Sequence, residues 1–177
     1  MRGYFGVGVE RLSKPRNAGA IFRTAHAFGA SFLFGIDADV NLRQLHQTDT
    51  SGAAGQTPLW EFPSVAALDL PKGCQVVGIE LTEDAVALPS FRHPAQAAYV
   101  LGTERGSLSP ELIARCDHVV KIPTDFCLNV SIACAVTLYD RMLSRGRFAE
   151  RPVKPGGPTE PPPPHVHGGI FTRFAEE

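Results

Sequence analysis

The hydrophobic positions of this chain change period repeatedly, and each change marks an element. Residues 3–10 (GYFGVGVE) read as an opening strand, followed by a polar loop and a helix over 17–29. In that helix Ile21, Ala25 and Phe28 recur on one face, the mark of a segment packed on a core. SFLFGI at 31–36 is a short apolar strand, and the polar stretch NLRQLHQT beyond it is helical or looped. A weak strand near PLWEF and a helical turn, SVAALDL, lead into the buried strand CQVVGIEL. AYVLGTE is a further strand, PELIARC a short helix and HVVKIP another strand. SIACAVTLYDRMLSR predicts the last and strongest helix, with Ile132, Ala135, Val136, Tyr139 and Leu143 recurring on one side. Strands rich in Val, Ile and Leu that alternate with helices predict an α/β fold, a mainly parallel sheet with helices on both faces. No internal repeat interrupts this order.

The texture changes at Arg151. RPVKPGGPTEPPPPHVHGGIFTRFAEE holds seven prolines, and PPPP favours extended polyproline over helix. The expected organisation is one domain over residues 1–150 and a Pro/Gly-rich tail over 151–177, with a possible docking patch at Ile170, Phe171 and Phe174. A chain of 177 residues, 44% hydrophobic and 20% charged, buries roughly 70% of its unfolded surface and needs no staples. The four cysteines form no CxxC pair and show no zinc spacing, so no metal is expected, and the HVH of the tail reads as incidental. There is no basic-then-apolar leader and no apolar run of membrane length, so the expected location is cytoplasmic.

A net charge of −1 gives no global argument for a nucleic-acid partner. The local distribution is more informative. Arg2, Arg11, Lys14, Arg16 and Arg23 crowd the first 25 residues against Glu10 alone. Arg141, Arg145, Arg147, Arg151 and Lys154 cluster near the end of the last helix. Two such clusters fit either a phosphate-rich partner, if the fold brings them together, or ordinary solvated faces.

Three stretches carry candidate chemistry. In PRNAGAIFRTAHAFG (15–29), Arg23 lies about 200° around the helix from Ile21, opposite the buried face, flanked by Ala20 and Ala27. Asn17 and Gly19 suit a helix start, where capping and phosphate binding both occur. Arg16 and Arg23 add guanidinium donors that fit phosphate in a bidentate manner. In VLGTERGSLSPEL (100–112) a strand ends at Gly102, passes Thr103 and Glu104, and enters a helix opened by Ser109-Pro110-Glu111. Ligands of open parallel sheets sit at such strand ends. In IPTDFCLNVSIACAVTLYD (122–140) a strand end and a short loop lead into an alanine-rich helix, with Asn129 or Ser131 able to cap it. Gly6-x-Gly8 lacks the third glycine and following helix of a dinucleotide fingerprint.

In order and spacing, NAGAIFRTAHAFGA, LGTERGSLS and IPTDFCLNVSIACAVTLYD resemble the three motifs of the SpoU (TrmH-like) methyltransferases of the SPOUT superfamily. The resemblance covers roughly residues 3–145, and SGAAG at 51–55 is similar to the family's small-residue segment. It implies an α/β trefoil-knot fold, a rare exception to the rule against threaded chains. It also implies S-adenosylmethionine as cofactor, transfer of its methyl group to a ribose 2′-hydroxyl of tRNA or rRNA, and a homodimer. Carried over position by position, Leu81, Gly102, Thr103, Ile122, Cys127, Leu128 and Ser131 are the implied cofactor-binding residues. Arg23, Asn17, Glu104 and Asn129 are the implied catalytic set, with Arg23 near the cofactor of the partner subunit. Arg11, Lys14, Arg16 and Arg23 are the expected RNA contacts. Two positions depart from the family pattern: Cys127 replaces a serine, and the glycine expected two places after Arg105 is Ser107. The alternatives are a non-catalytic RNA-binding or ribosome-assembly protein on the same knotted fold, and a methyltransferase acting on a small molecule or protein.

Overall fold

The computed structural model describes residues 3–38, 41–42, 57–103, 106–149, 151–152 and 155–157. Seven strands form one sheet: β1 (Tyr4–Glu10), β2 (Phe32–Ile36), β3 (Leu59–Phe62), β4 (Gln75–Ile79), β5 (Val86–Ala87), β6 (Gln96–Leu101) and β7 (His118–Lys121). Their order is β3-β2-β1-β6-β4-β7-β5, and every pairing is parallel. Among the described residues the helices are α1 (Pro15–Ala27), α2 (Pro110–Arg115) and α3 (Val130–Arg145), with a 3-10 turn at Leu88–Ser90.

Alternate residues of each inner strand enter two separate cores, as a sheet covered on both faces requires. Val7, Leu33, Val77 and Tyr99 pack with Ile21, Phe22 and Ala25 of α1 and with Cys134 and Leu138 of α3. Phe32, Phe34, Val76 and Val100 pack with Leu112 of α2 on the other face. The helices therefore lie on both faces, as the alternation of strand and helix patterns predicts. Gly6 and Gly8 belong to this packing: a Cβ on either would sit 2.1–2.2 Å from the ring of Phe32 or Phe34 on the neighbouring strand.

One expectation needs correction. The first helix begins at Pro15, with Lys14 at its N-cap, so Asn17 lies buried inside the first turn and does not cap it. Proline is favoured at this position because it has no N–H to leave unpaired. At the other end Gly29, at φ 77, closes the helix through Gly29 N to His26 O and Ala30 N to Ala25 O, both 2.9 Å. Phe28 thus falls just past the helix, half-buried against the core.

The structure settles which side of α3 faces the core. Ile132, Val136 and Tyr139 are 53%, 37% and 49% exposed, whereas the buried residues are Cys134, Thr137, Leu138 and Arg141. The apolar stripe read from the sequence thus faces outward, and the inward face carries a threonine and an arginine beside Cys134 and Leu138. Of the basic residues, Arg11 follows the carboxyl end of β1, whereas Arg141, Arg145 and Arg147 surround Gly3 and Phe5 at its amino end. Parts of the chain named above lie outside the described residues: Glu104, SGAAG and nearly all of the proline-rich tail.

Candidate active site

The strands of a parallel sheet finish on one edge, and here the ends of β4, β6 and β7 meet the start of α3. A cavity of about 460 Å³ opens at that junction. Leu81, Gly102 and Thr103 line one side, and Ile122, Cys127 and Leu128 another. Asn129 and Lys14 reach the same space. Six of the seven residues expected to hold a cofactor thus come together. The seventh, Ser131, turns its hydroxyl to Asn129 Oδ1 at 2.6 Å and is not among the lining residues.

The segment over the cavity is held from three directions. Leu108 N donates to Glu80 Oε2 at 2.7 Å, while Glu80 Oε1 accepts from Leu81 N at 2.9 Å. Ser109 N donates to Glu10 Oε2 at 2.8 Å, and the Ser109 hydroxyl also donates to Glu10. Arg11 Nη2 donates to Ser107 O at 3.2 Å. These bonds draw the 106–109 backbone close to Gly102, where a Cβ would lie 3.2 Å from Leu108 N. Sequence reasoning missed Glu10 and Glu80 as site residues. Their signal was present: GVGVE and VVGIE are apolar strands that each end on a carboxylate. On the opposite wall Thr124 fixes the loop, its N donating to Ile122 O at 2.8 Å and its hydroxyl to Phe126 O at 2.9 Å.

Asn129 joins the cavity to α1. Its Oδ1 accepts from Ser131 N at 2.9 Å and so caps α3, while Nδ2 donates to Asn17 Oδ1 at 3.4 Å. Capping and site-building are therefore the same residue's work, and two expected catalytic positions 112 residues apart are in contact. Arg16 and Arg23 are exposed on α1, outside this cavity. Seven residues apart, they share one side of the helix, about 10 Å along its axis.

The four cysteines are free thiols in different surroundings. Burial pushes Cys74 and Cys116 up to about 11 and Cys134 up to about 12. At pH 8 such groups are roughly 0.1% thiolate or less, and the thiolate is the reactive form. Cys127 is exposed on the cavity wall. Iodoacetamide at pH 8 is expected to label Cys127 well before the other three, as read by peptide mass mapping. Raising the pH toward 11 should bring Cys74 and Cys116 into reach. Equal labelling of all four at pH 8 contradicts this ordering.

Among the described residues no cluster of His, Cys, Asp or Glu could hold a metal ion, and no helix is long and apolar enough to cross a membrane. The model of the SpoU rRNA Methylase family matches residues 5–139. The chain belongs to this family. It is 27% identical over 147 residues to the 23S rRNA (guanosine-2′-O-)-methyltransferase RlmB of Acinetobacter baylyi. It is 28% identical over 149 residues to the tRNA (guanosine(18)-2′-O)-methyltransferase of Escherichia coli. Each alignment takes in 78% of this chain but only 59% and 63% of the two relatives, so the chain spans about three-fifths of their length. Among solved structures, the SpoU methyltransferase AviRb of Streptomyces viridochromogenes in complex with AdoMet superposes with a TM-score of 0.68 at 24% identity. That match covers 82% of this chain and 62% of AviRb. A SpoU fold is what the all-parallel sheet and its flanking helices form.

Proposed function

We propose that this SpoU-family protein is an S-adenosylmethionine-dependent RNA methyltransferase that modifies a ribose 2′-hydroxyl of tRNA or rRNA. The observation that carries the reading is the convergence of Leu81, Gly102, Ile122 and Leu128 on one cavity whose rim, at Asn129, is bonded to Asn17 of α1. Both curated relatives described above are named as guanosine 2′-O-methyltransferases. The cavity suits the cofactor: its volume lies in the range of small-molecule sites, its lining mixes apolar Leu81, Ile122 and Leu128 with polar groups, and it sits at the carboxyl ends of parallel strands. The knot characteristic of the family is part of the proposal, built from the segments after β6 and β7.

When bound, S-adenosylmethionine supplies a methyl group on a sulfonium sulfur, open to attack by an oxygen. Backbone at Gly102, Thr103 and Ile122–Leu128 would hold the adenosyl part, with Leu81, Ile122 and Leu128 as its apolar walls. Cys127 offers only a weak donor where the family pattern has a hydroxyl. Arg23 remains protonated in any protein and therefore does not serve as a general base. Its role is to grip a phosphate and stabilise the alkoxide that develops as the 2′-hydroxyl gives its proton to solvent water. Asn17 and Asn129 fix the first turn of α1 relative to the cavity rim, and Glu104 orients the nucleotide. Arg11, Lys14 and Arg16 supply further charge for the RNA backbone.

Because Arg23 lies outside its own chain's cavity, the active form would be a homodimer, each Arg23 serving its partner. The exposed Ile132, Val136 and Tyr139 give a self-complementary twofold contact something to bury. The working unit is residues 1–150, the remainder a tail, and free thiols fit a reducing cytoplasm. Isothermal calorimetry with S-adenosylmethionine and a chelator is expected to give saturable binding heat with one site per chain. No heat at millimolar cofactor overturns the assignment of this cavity.

A further inference from the structure

The proposed chemistry occupies the carboxyl edge of the sheet, yet a larger cavity, about 730 Å³, opens at the amino end of β1. Phe5, Phe28 and Met142 give it an apolar wall, and Arg141, Arg145 and Arg147 give it charge. None of its lining residues among the described ones is acidic. Arg141 is only 6% exposed, and its hydrogen bonds all go to neutral oxygens: Pro94 O at 2.7 Å, Tyr99 OH at 3.0 Å and Ala95 O at 3.2 Å. Its guanidinium also lies 4.9 Å from the centre of the Phe5 ring.

The adjacent carboxylate, Asp140, is directed elsewhere, to His93 Nε2 at 3.0 Å, and His93 Nδ1 meets Tyr99 OH at 2.5 Å. Burial lowers the His93 pKa and raises that of Tyr99 to about 12, so both are neutral at pH 7. Among the described residues three guanidiniums therefore stand against one carboxylate in this cluster. Carbonyls at the end of α3 absorb part of the excess. Arg145 and Arg147 remain exposed at the mouth.

We propose that this cavity is a second RNA contact, taking a phosphodiester at Arg145 and Arg147 with the attached base against Phe28. The inference rests on the RNA reading of the first cavity. Planar guanidiniums match phosphate oxygens, and a half-buried aromatic ring accepts any base by stacking. The seven residues of β1 separate the two cavities by about 23 Å. That span corresponds to roughly seven nucleotides of one stacked strand at about 3.4 Å each. A short oligonucleotide reaches one cavity; a folded RNA reaches both.

Filter binding of labelled tRNA and of total rRNA to the full chain, between 50 and 200 mM salt, tests this. For Arg145→Ala/Arg147→Ala the slope of log affinity against log salt is expected to shrink by about 0.7–0.9, the contribution of the one phosphate the pair neutralises. Cofactor binding heat should stay at the parent's value. Arg145→Lys/Arg147→Lys should recover the slope. An alanine variant with the parent's slope and affinity overturns the second contact and leaves the first cavity's reading intact, as does weakened binding at an unchanged slope. A parent chain that binds neither RNA overturns the RNA reading and this inference with it.

Discussion

Arg23→Ala is expected to slow methyl transfer by roughly ten- to a hundredfold or more while leaving the fold and cofactor affinity nearly unchanged. A charged hydrogen bond made in the transition state contributes about 1.5–3 kcal/mol, which sets that range. The side chain is exposed on α1, opposite buried Ile21 and Ala25. Its truncation should therefore cost far less stability than the ~2–5 kcal/mol of a core deletion. Arg23→Lys keeps the charge but loses the planar fork, and should recover only part of the rate. RNA affinity should fall modestly, with a shallower salt dependence, as expected when one phosphate is no longer neutralised. Single-turnover assays on the cognate RNA, beside thermal melts, separate these effects. Full activity in the alanine variant would make Arg23 an ordinary surface arginine.

Asn129→Ala should act on both stability and activity, because one side chain has two partners. Losing the cap on Ser131 N costs about 1 kcal/mol, within a range of about 0.5–2. Losing Nδ2 deprives the buried Asn17 amide of its Asn129 partner and frees the start of α3 from α1. Methyl transfer is expected to fall at least tenfold. Asn129→Asp separates the two roles: its carboxylate still caps α3, so the melting temperature should return, but it cannot donate to Asn17, so the rate should not. Recovery of both by aspartate would reduce Asn129 to a helix cap. If Arg23 serves the partner's cavity, mixing the Arg23→Ala and Asn129→Ala proteins should restore part of the activity that neither has alone.

The sheet and its flanking helices were legible because nearly every buried strand is an unbroken apolar run, from GVGV to HVV. The two-residue strand Val86–Ala87 was not, since two residues on a sheet edge carry no period. The inward face of α3 was not legible, because Arg141 reaches inward to Tyr99 and the Pro94 and Ala95 carbonyls and an arginine gives no apolar signal of burial. The cavity-lining residues were legible through motif resemblance; the strand-end positions of Glu10 and Glu80 were visible too, but not their role, which is to accept backbone N–H groups from a distant loop. Sequence spacing records no contact across 28 or 99 residues.

The central claim is methyl transfer to a ribose hydroxyl, and alkali tests it directly. RNA incubated with the protein and methyl-labelled S-adenosylmethionine is hydrolysed in base, where cleavage requires a free 2′-hydroxyl. The account predicts label in alkali-resistant dinucleotides, appearing roughly ten- to a hundredfold more slowly with Arg23→Ala. Label in mononucleotides would place the methyl group on a base. Cofactor binding with no label in any RNA would contradict the account and leave a non-catalytic RNA-binding protein on the SpoU fold.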